Sequence, residues 1–303
     1  MSTIRPPAVA GLFYPADPGQ LAHEVQTFLT EARPADLIPN GHARFPPPNP
    51  LPQAGRAQRE GRSRANESLR KLHIKALIVP HAGYIYSGAI AASAYVTLQA
   101  LAPRIRRVVL LGPTHRVAVR GLAVPDAEAF DTPLGRVRLD TEAVRAIAAL
   151  PQVVISREVH AQEHALEVQL PFLQSVLGDF TLLPLAVGMA SAEEVAEVLE
   201  TLWGGNETLI VVSSDLSHYL PYNTAQQVDA LTADAILHLK QPISHEQACG
   251  GTPINGLILA ARTHHLTPHL LDLRNSGDTA GARDQVVGYA AFAFTMENDH
   301  AGR

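Results

Sequence analysis

Three apolar runs, each closed by a polar turn that carries a histidine, constrain this chain more than any other feature. Ala76-Leu77-Ile78-Val79 runs into Pro80-His81, Arg107-Val108-Val109-Leu110-Leu111-Gly112 into Pro113-Thr114-His115, and Thr208-Leu209-Ile210-Val211-Val212 into Ser213-Ser214-Asp215-Leu216-Ser217-His218. β-Branched residues suit a buried strand, and a proline ends the ladder because it has no N–H to donate. After His81 the glycine-containing turn to Gly88 leads into Ala89-Ile90-Ala91-Ala92-Ser93-Ala94, a helix small enough on its surface to lie close against a sheet. Parallel strands put their carboxyl ends on one rim, and an open α/β sheet binds its ligands there. The pattern therefore predicts an α/β protein, a mixed β-sheet flanked by helices, with His81, His115 and His218 delivered to one polar cleft.

The rest of the chain fits a single domain over residues 1–303, a length able to bury a substantial core. Arg5 to Pro15 reads as an apolar approach lying along the body. Asp17 and Pro18 then cap and start a helix with Leu21, Val25, Phe28 and Leu29 on its inner face, ending before Pro34. Residues 39–68 read as a disordered insertion; Arg56, Arg59, Arg62 and Arg64 there are a solvated loop or a contact for an acidic partner. Gly121 to Pro125 and Gly135 to Asp140 read as short antiparallel strands joined by a turn over Phe130 to Leu134. A helix from Thr141 to Leu150 and an edge strand at Val153 to Ile155 follow. The pattern from Glu158 to Leu173 predicts a helix with a proline interruption, His160, Glu163, His164 and Glu167 sharing one face. Ser191 with Glu194 forms a capping box, and Leu270 to Ser276 and Val286 to Phe294 finish the chain as strands.

Charge and composition narrow the function. With 29 acidic residues against 24 lysines and arginines, the chain lacks the basic surface that nucleic acid or an anionic membrane would select. No run of about 18 apolar residues is present to span a bilayer. The one cysteine, Cys249, excludes an internal disulfide and suits a reducing compartment, so the expected location is cytoplasmic.

His81 and His115, on consecutive strand-then-helix units, invite coordination by one metal, and imidazole suits iron, zinc and copper. Cys249 is the strongest candidate for a third ligand, since it precedes an apparent helix whose N-terminus would favour thiolate; the alternative is an inert buried cysteine. Asp215 and His218 form a proton-handling pair or a solvated turn, with the adjacent serines available to orient them. The order H-x-x-E-H at residues 160–164 matches the inverzincin pattern, but five residues alone do not carry zinc peptidase chemistry.

Taken together and in order, GLFYPADP, VPHAGYIYSG, LGPTHRV, EHALEVQLPF, SSDLSHY, CGGTPI and the terminal VVGYAAFAF make the chain similar to the Memo family over most of its length. That family resembles the catalytic subunit of class III extradiol ring-cleaving dioxygenases of the LigB type. The resemblance implies metal positions at His81, His115 and Cys249, with His218 as the proton-handling histidine and Asp215, His164 and Glu163 in the surrounding pocket. It implies iron as Fe2+, with copper or zinc as alternatives, and either oxidation of a small-molecule substrate or a noncatalytic metal- or partner-binding role. Radical-SAM and AMMECR1-like proteins are the partners it implies. Ring-cleaving relatives carry a carboxylate where this chain has Cys249, which makes the site softer.

Overall fold

The computed structural model describes residues 4–32 and 73–296; the insertion expected at 39–68 lies outside the described residues. In chain order the strands are β1 (Ile4–Arg5), β2 (His73–Val79), β3 (Arg107–Pro113), β4 (Leu122–Val124), β5 (Ala129–Thr132), β6 (Gly135–Arg138), β7 (Val153–Ile155), β8 (Thr181–Val187), β9 (Thr208–Ser213), β10 (His218–Leu220), β11 (Thr267–Asn275) and β12 (Val286–Met296). The helices are α1 (Pro18–Glu31), α2 (Tyr84–Tyr95), α3 (Thr141–Ile147), α4 (Arg157–Ala161), α5 (Leu170–Val176), α6 (Ala192–Leu202), α7 (Tyr222–Leu237) and α8 (Gly251–Thr263).

Nine strands make one mixed sheet in the order β10-β12-β2-β9-β3-β8-β4-β7, with β11 also on β12. Its centre is parallel: β2 pairs β9, β9 pairs β3, and β3 pairs β8. Strands β4, β12, β11 and β10 join antiparallel. Alternation along the central strands divides the core in two. Leu77, Val79, Val108, Leu110, Leu209 and Val211 face one apolar cluster, while Ala76, Ile78, Val109, Leu111, Ile210 and Val212 face the other. Both faces are covered, which is why these strands read as unbroken apolar runs rather than alternating ones. Each large aliphatic side chain so buried contributes roughly 1.5–3 kcal/mol relative to exposure.

On the first face α2 lies close because its inward residues are small; Ser87, Gly88, Ala91, Ala92, Ser93 and Ala94 are all buried. A Cβ at Gly88 would stand 2.6 Å from the Phe28 ring, so the glycine sets how near α1 comes to α2. The N-terminal cap of α1 is as expected, Asp17 accepting from the Gln20 amide with Pro18 following. The capping box of α6 is also present, Ser191 and Glu194 each accepting from the other's backbone.

Two local expectations are corrected. Phe130 to Thr132 is strand rather than turn, because β5 finds partners on both sides, β1 in parallel and β6 antiparallel, in a separate three-stranded sheet. The segment from Glu158 to Leu173 is no continuous helix. It holds α4, a turn, a 3-10 turn over Glu167–Gln169, and then α5. Glu163 Oε1 accepts from the Ala165 amide at 2.9 Å, a side-chain bond that competes with helical pairing. Pro171 opens α5 instead of breaking a longer helix.

Candidate metal centre

The parallel strands β2, β3 and β9 end on one rim, and His81, His115 and the 214–218 turn follow directly from those ends. One ring nitrogen from each of His81, His115 and His164 comes within 4.8 Å of the others. The His115 and His164 rings stack at 4.7 Å, and both stand edge-on to His81, at 5.2 and 5.5 Å respectively. Cys249 lies outside this triad but against one member, its Sγ 3.3 Å from His81 Nε2. His164, placed in the surrounding pocket by the sequence, is therefore in the converging group itself. It reaches the rim because the 162–166 turn leaves the helical path.

Hydrogen-bond accounting settles which nitrogen of His81 faces the cleft. A serine hydroxyl has one proton to give. Ser213 Oγ donates it to the Ala165 carbonyl at 2.7 Å, so its other neighbours must donate: Gln169 Nε2 at 2.8 Å and His81 Nδ1 at 2.9 Å. Gln169 is itself held, its second amide proton on the Pro80 carbonyl and its oxygen accepting from the Tyr95 hydroxyl. His81 thus carries its proton on Nδ1 and presents the Nε2 lone pair to Cys249 and the cleft. His115 repeats the arrangement, Nδ1 donating to Glu163 Oε1 at 2.9 Å and its backbone amide to Oε2 at 2.5 Å. An outer partner of this kind orients a histidine ligand and raises its basicity.

The charges suit a cation. Burial, reinforced by the neighbouring His115, pushes His81 down to about 3. Burial, reinforced by the neighbouring His81, likewise brings His164 down to about 4. Both rings are neutral at neutral pH, with lone pairs available. Burial opposes ionisation of Glu163, but the His115 hydrogen bond and charge, with the amides of Ala165 and His115, outweigh it and hold the carboxyl at about 2. Burial and then Asp215 push the Cys249 thiol up to about 12, so thiolate there requires a positive charge to hold it. His164 Nδ1 is buried 3.4 Å from Glu163 Oε1, with no hydrogen bond of proper geometry among the described residues. Clustered imidazoles, a raised thiol and an underused nitrogen form a donor set that fits a divalent metal.

Asp215 and His218 occupy the same rim. Asp215 Oδ1 accepts from the His81 backbone amide at 2.7 Å, and Oδ2 stands 4.0 Å from His81 Nε2. Burial keeps the Asp215 carboxyl above its usual range, against the pull of that amide. His218 donates from Nδ1 to the Leu216 carbonyl at 2.8 Å, which leaves Nε2 bare. Ser214 Oγ accepts from the Gly250 amide beside Cys249 and so ties the strand end to the cysteine. The inverzincin pattern has no support here: His160 is 2% exposed and bonded to the Ala123 carbonyl, apart from the triad.

Sequence reasoning did not single out Gln169 or give Phe13 a place in the site. Phe13 sets its ring 4.7 Å from His164 while its carbonyl accepts from the Tyr84 amide. Their only signal was membership of motif-like phrases, since partners so distant in sequence cannot be read from spacing. Ser213→Ala removes the acceptor of His81 Nδ1–H and is expected to lower divalent-metal affinity by ~10–100-fold with the fold retained. Competition against a chromophoric chelator measures this; unchanged affinity in a folded variant would remove Ser213 from the account.

The chain matches the family model described as Memo-like protein over residues 5–293. It is 34% identical to a MEMO1 family protein of Sulfolobus acidocaldarius, covering 96% of this chain and 99% of that one. The corresponding protein of Aeropyrum pernix is 35% identical over 95% and 98%. That of Aquifex aeolicus is 32% identical over 96% and 99%. With a model match along nearly all its length and relatives above 30% identity aligned almost end to end, this chain belongs to the Memo-like family.

Proposed function

We propose that this protein is a metal-binding member of its family that acts as a nonheme-iron redox protein on a small-molecule substrate, in a cleft of the LigB type. The observation carrying this reading is the convergence of His81, His115 and His164 within 4.8 Å, with Cys249 against His81. His81 and His115 hold the metal, and Cys249 or His164 supplies the third position. Iron bound there would supply redox and oxygen chemistry; zinc and copper are the competing metals for such donors.

The chain's own residues have separable tasks. Ser213 and Glu163 aim the two outer imidazoles. Phe13 lies against the His164 ring. His218, tied at Nδ1, takes or gives a proton at Nε2, and Asp215 holds the His81 backbone and places an acid beside the donors.

Anaerobic titration with Fe2+, Zn2+ and Cu+, on the wild type and on Cys249→Ala, is the test, paired with oxygen consumption across an aromatic and metabolite screen. One iron per chain with iron-dependent oxygen consumption is the expected result. A folded Cys249→Ala protein with unchanged affinity would assign the third position to His164 instead. Stoichiometric metal without turnover would move the reading to a noncatalytic metal- or partner-binding protein, which the Cys249 replacement favours. No binding of any metal would overturn both. Co-purification with radical-SAM or AMMECR1-like proteins would place that chemistry in a shared pathway.

A further inference from the structure

We infer that Asp229, on α7, is the positioning residue for His218, clamping one peptide plane so that the imidazole keeps its proton on Nδ1 and offers Nε2 to the cleft. This rests on the reading of His218 as the proton-handling group. Asp229 is 2% exposed, and its Oδ1 accepts from the Ser217 amide at 3.0 Å. The carbonyl that receives His218 Nδ1–H at 2.8 Å is that of Leu216. Leu216 C=O and Ser217 N–H belong to the same planar trans peptide and point in opposite directions. Fixing the N–H on Asp229 therefore aims the C=O at the imidazole. One carboxylate sets the tautomer of a ring it does not touch.

The surroundings leave Asp229 little other work. Strand β12 pins the same turn, Gly288 donating its amide to Ser217 O and accepting from the Leu216 amide, each at 2.8 Å. The carboxylate lies flat against that strand, since a Cβ at Gly288 would come within 2.0 Å of Asp229 Oδ2. Burial pushes the Asp229 carboxyl up to about 6, a cost that Ser217 beside it only partly offsets. The Ser217 hydroxyl is buried without a hydrogen-bond partner among the described residues, so the turn is held through its backbone, by Asp229 at the Ser217 amide and by Gly288 at the Leu216 amide and the Ser217 carbonyl.

The next residue points the same way. Tyr219 has φ +58, whereas the other non-glycine residues with positive φ among the described residues, Leu239 and His265, each follow a helix end. A left-handed residue is ordinary just past a helix. Tyr219 sits in β10 at the register irregularity between His218 and Leu220, where the strand leaves regular pairing with β12 just after the clamped turn. Asp229 and Gly288 hold the Leu216–Ser217 backbone that leads into it.

Nitrogen-15 NMR of the histidine side chains in the full-length protein tests this. Wild type should show His218 in the Nδ1–H tautomer. Asp229→Ala should lower the ratio of Nδ1–H to Nε2–H by roughly tenfold, the fold-change of one hydrogen bond. Asp229→Asn keeps an oxygen for the Ser217 amide and should restore the wild-type ratio. A folded Asp229→Ala protein with the wild-type ratio would overturn the inference. Should that variant not fold, Gly288→Ala, which drives a methyl into the carboxylate, carries the test: a lowered ratio supports the clamp and an unchanged ratio overturns it. Metal affinity at the imidazole triad should match wild type in Asp229→Asn. Failure of the wild type to bind metal would defeat the functional reading while leaving the tautomer result standing.

Discussion

Glu167→Ala should destabilise the protein by about 3–5 kcal/mol, the usual cost of removing one partner from a buried ion pair. Glu167 is fully buried and pairs with Arg5 at 2.5 Å, the Arg5 side chain being 5% exposed. The same carboxylate accepts from the amides of Ala8 and Val9 and from the Tyr14 hydroxyl at 2.6 Å. Its removal leaves a buried guanidinium short of its counter-charge and strands three other donors. Urea unfolding of both proteins measures the difference, and a loss below about 1 kcal/mol would place this pair with ordinary surface bridges. The N-terminal segment should loosen first, since Glu167 joins Arg5, Ala8, Val9 and Tyr14 to the body through one carboxylate. Phe13 would then leave the His164 ring, so the effect should reach the site as well as the stability.

Acid should remove a second large contribution, at Glu163. Its carboxyl is held at about 2 in the folded protein, against 4.5 for an unperturbed group. A depressed folded value means the stabilisation is fully present above the unfolded pKa and is lost as pH falls from about 4.5 towards about 2. The difference corresponds to about 3 kcal/mol at neutral pH. Glu163→Gln cannot titrate, so its unfolding free energy should fall less steeply than that of wild type across the same window. Parallel slopes would show that the hydrogen bond to His115 does not hold the carboxylate ionised. The side chain is 1% exposed, so solvent screening takes little from this effect.

How much could be read in advance differed between strand ends and side-chain partners. His81, His115, Asp215 and His218 were legible because each follows an apolar run, and parallel strands bring their ends together irrespective of what lies between them. Cys249 was expected as the third ligand; its Sγ stands 3.3 Å from His81 Nε2, outside the imidazole triad. The membership of His164 in the triad was not legible. A helical reading of residues 158–173 put it on a face with His160, whereas Glu163 bonds the Ala165 amide and the distant His115, and Glu167 the distant Arg5, in place of a continuous helix. Propensity is a weak prior wherever a buried charge has partners elsewhere in the chain. Strand β5 escaped for the same reason, since its pairing with β1 brings together segments about 125 residues apart.

By itself the sequence determined the alternation of buried strands with helices, the rim on which histidines gather, the caps of α1 and α6, and the family. These follow from local periodicity, backbone chemistry and motif order, which are properties of consecutive residues. Only the tertiary structure decided the tautomers of His81 and His218, the third imidazole, the N-terminal segment tied through Glu167, and the Asp229 clamp. Each of those depends on where a single proton or lone pair points after remote segments meet. A hydrogen bond has direction and a short range, so it is defined only once packing has set both partners within about 3 Å.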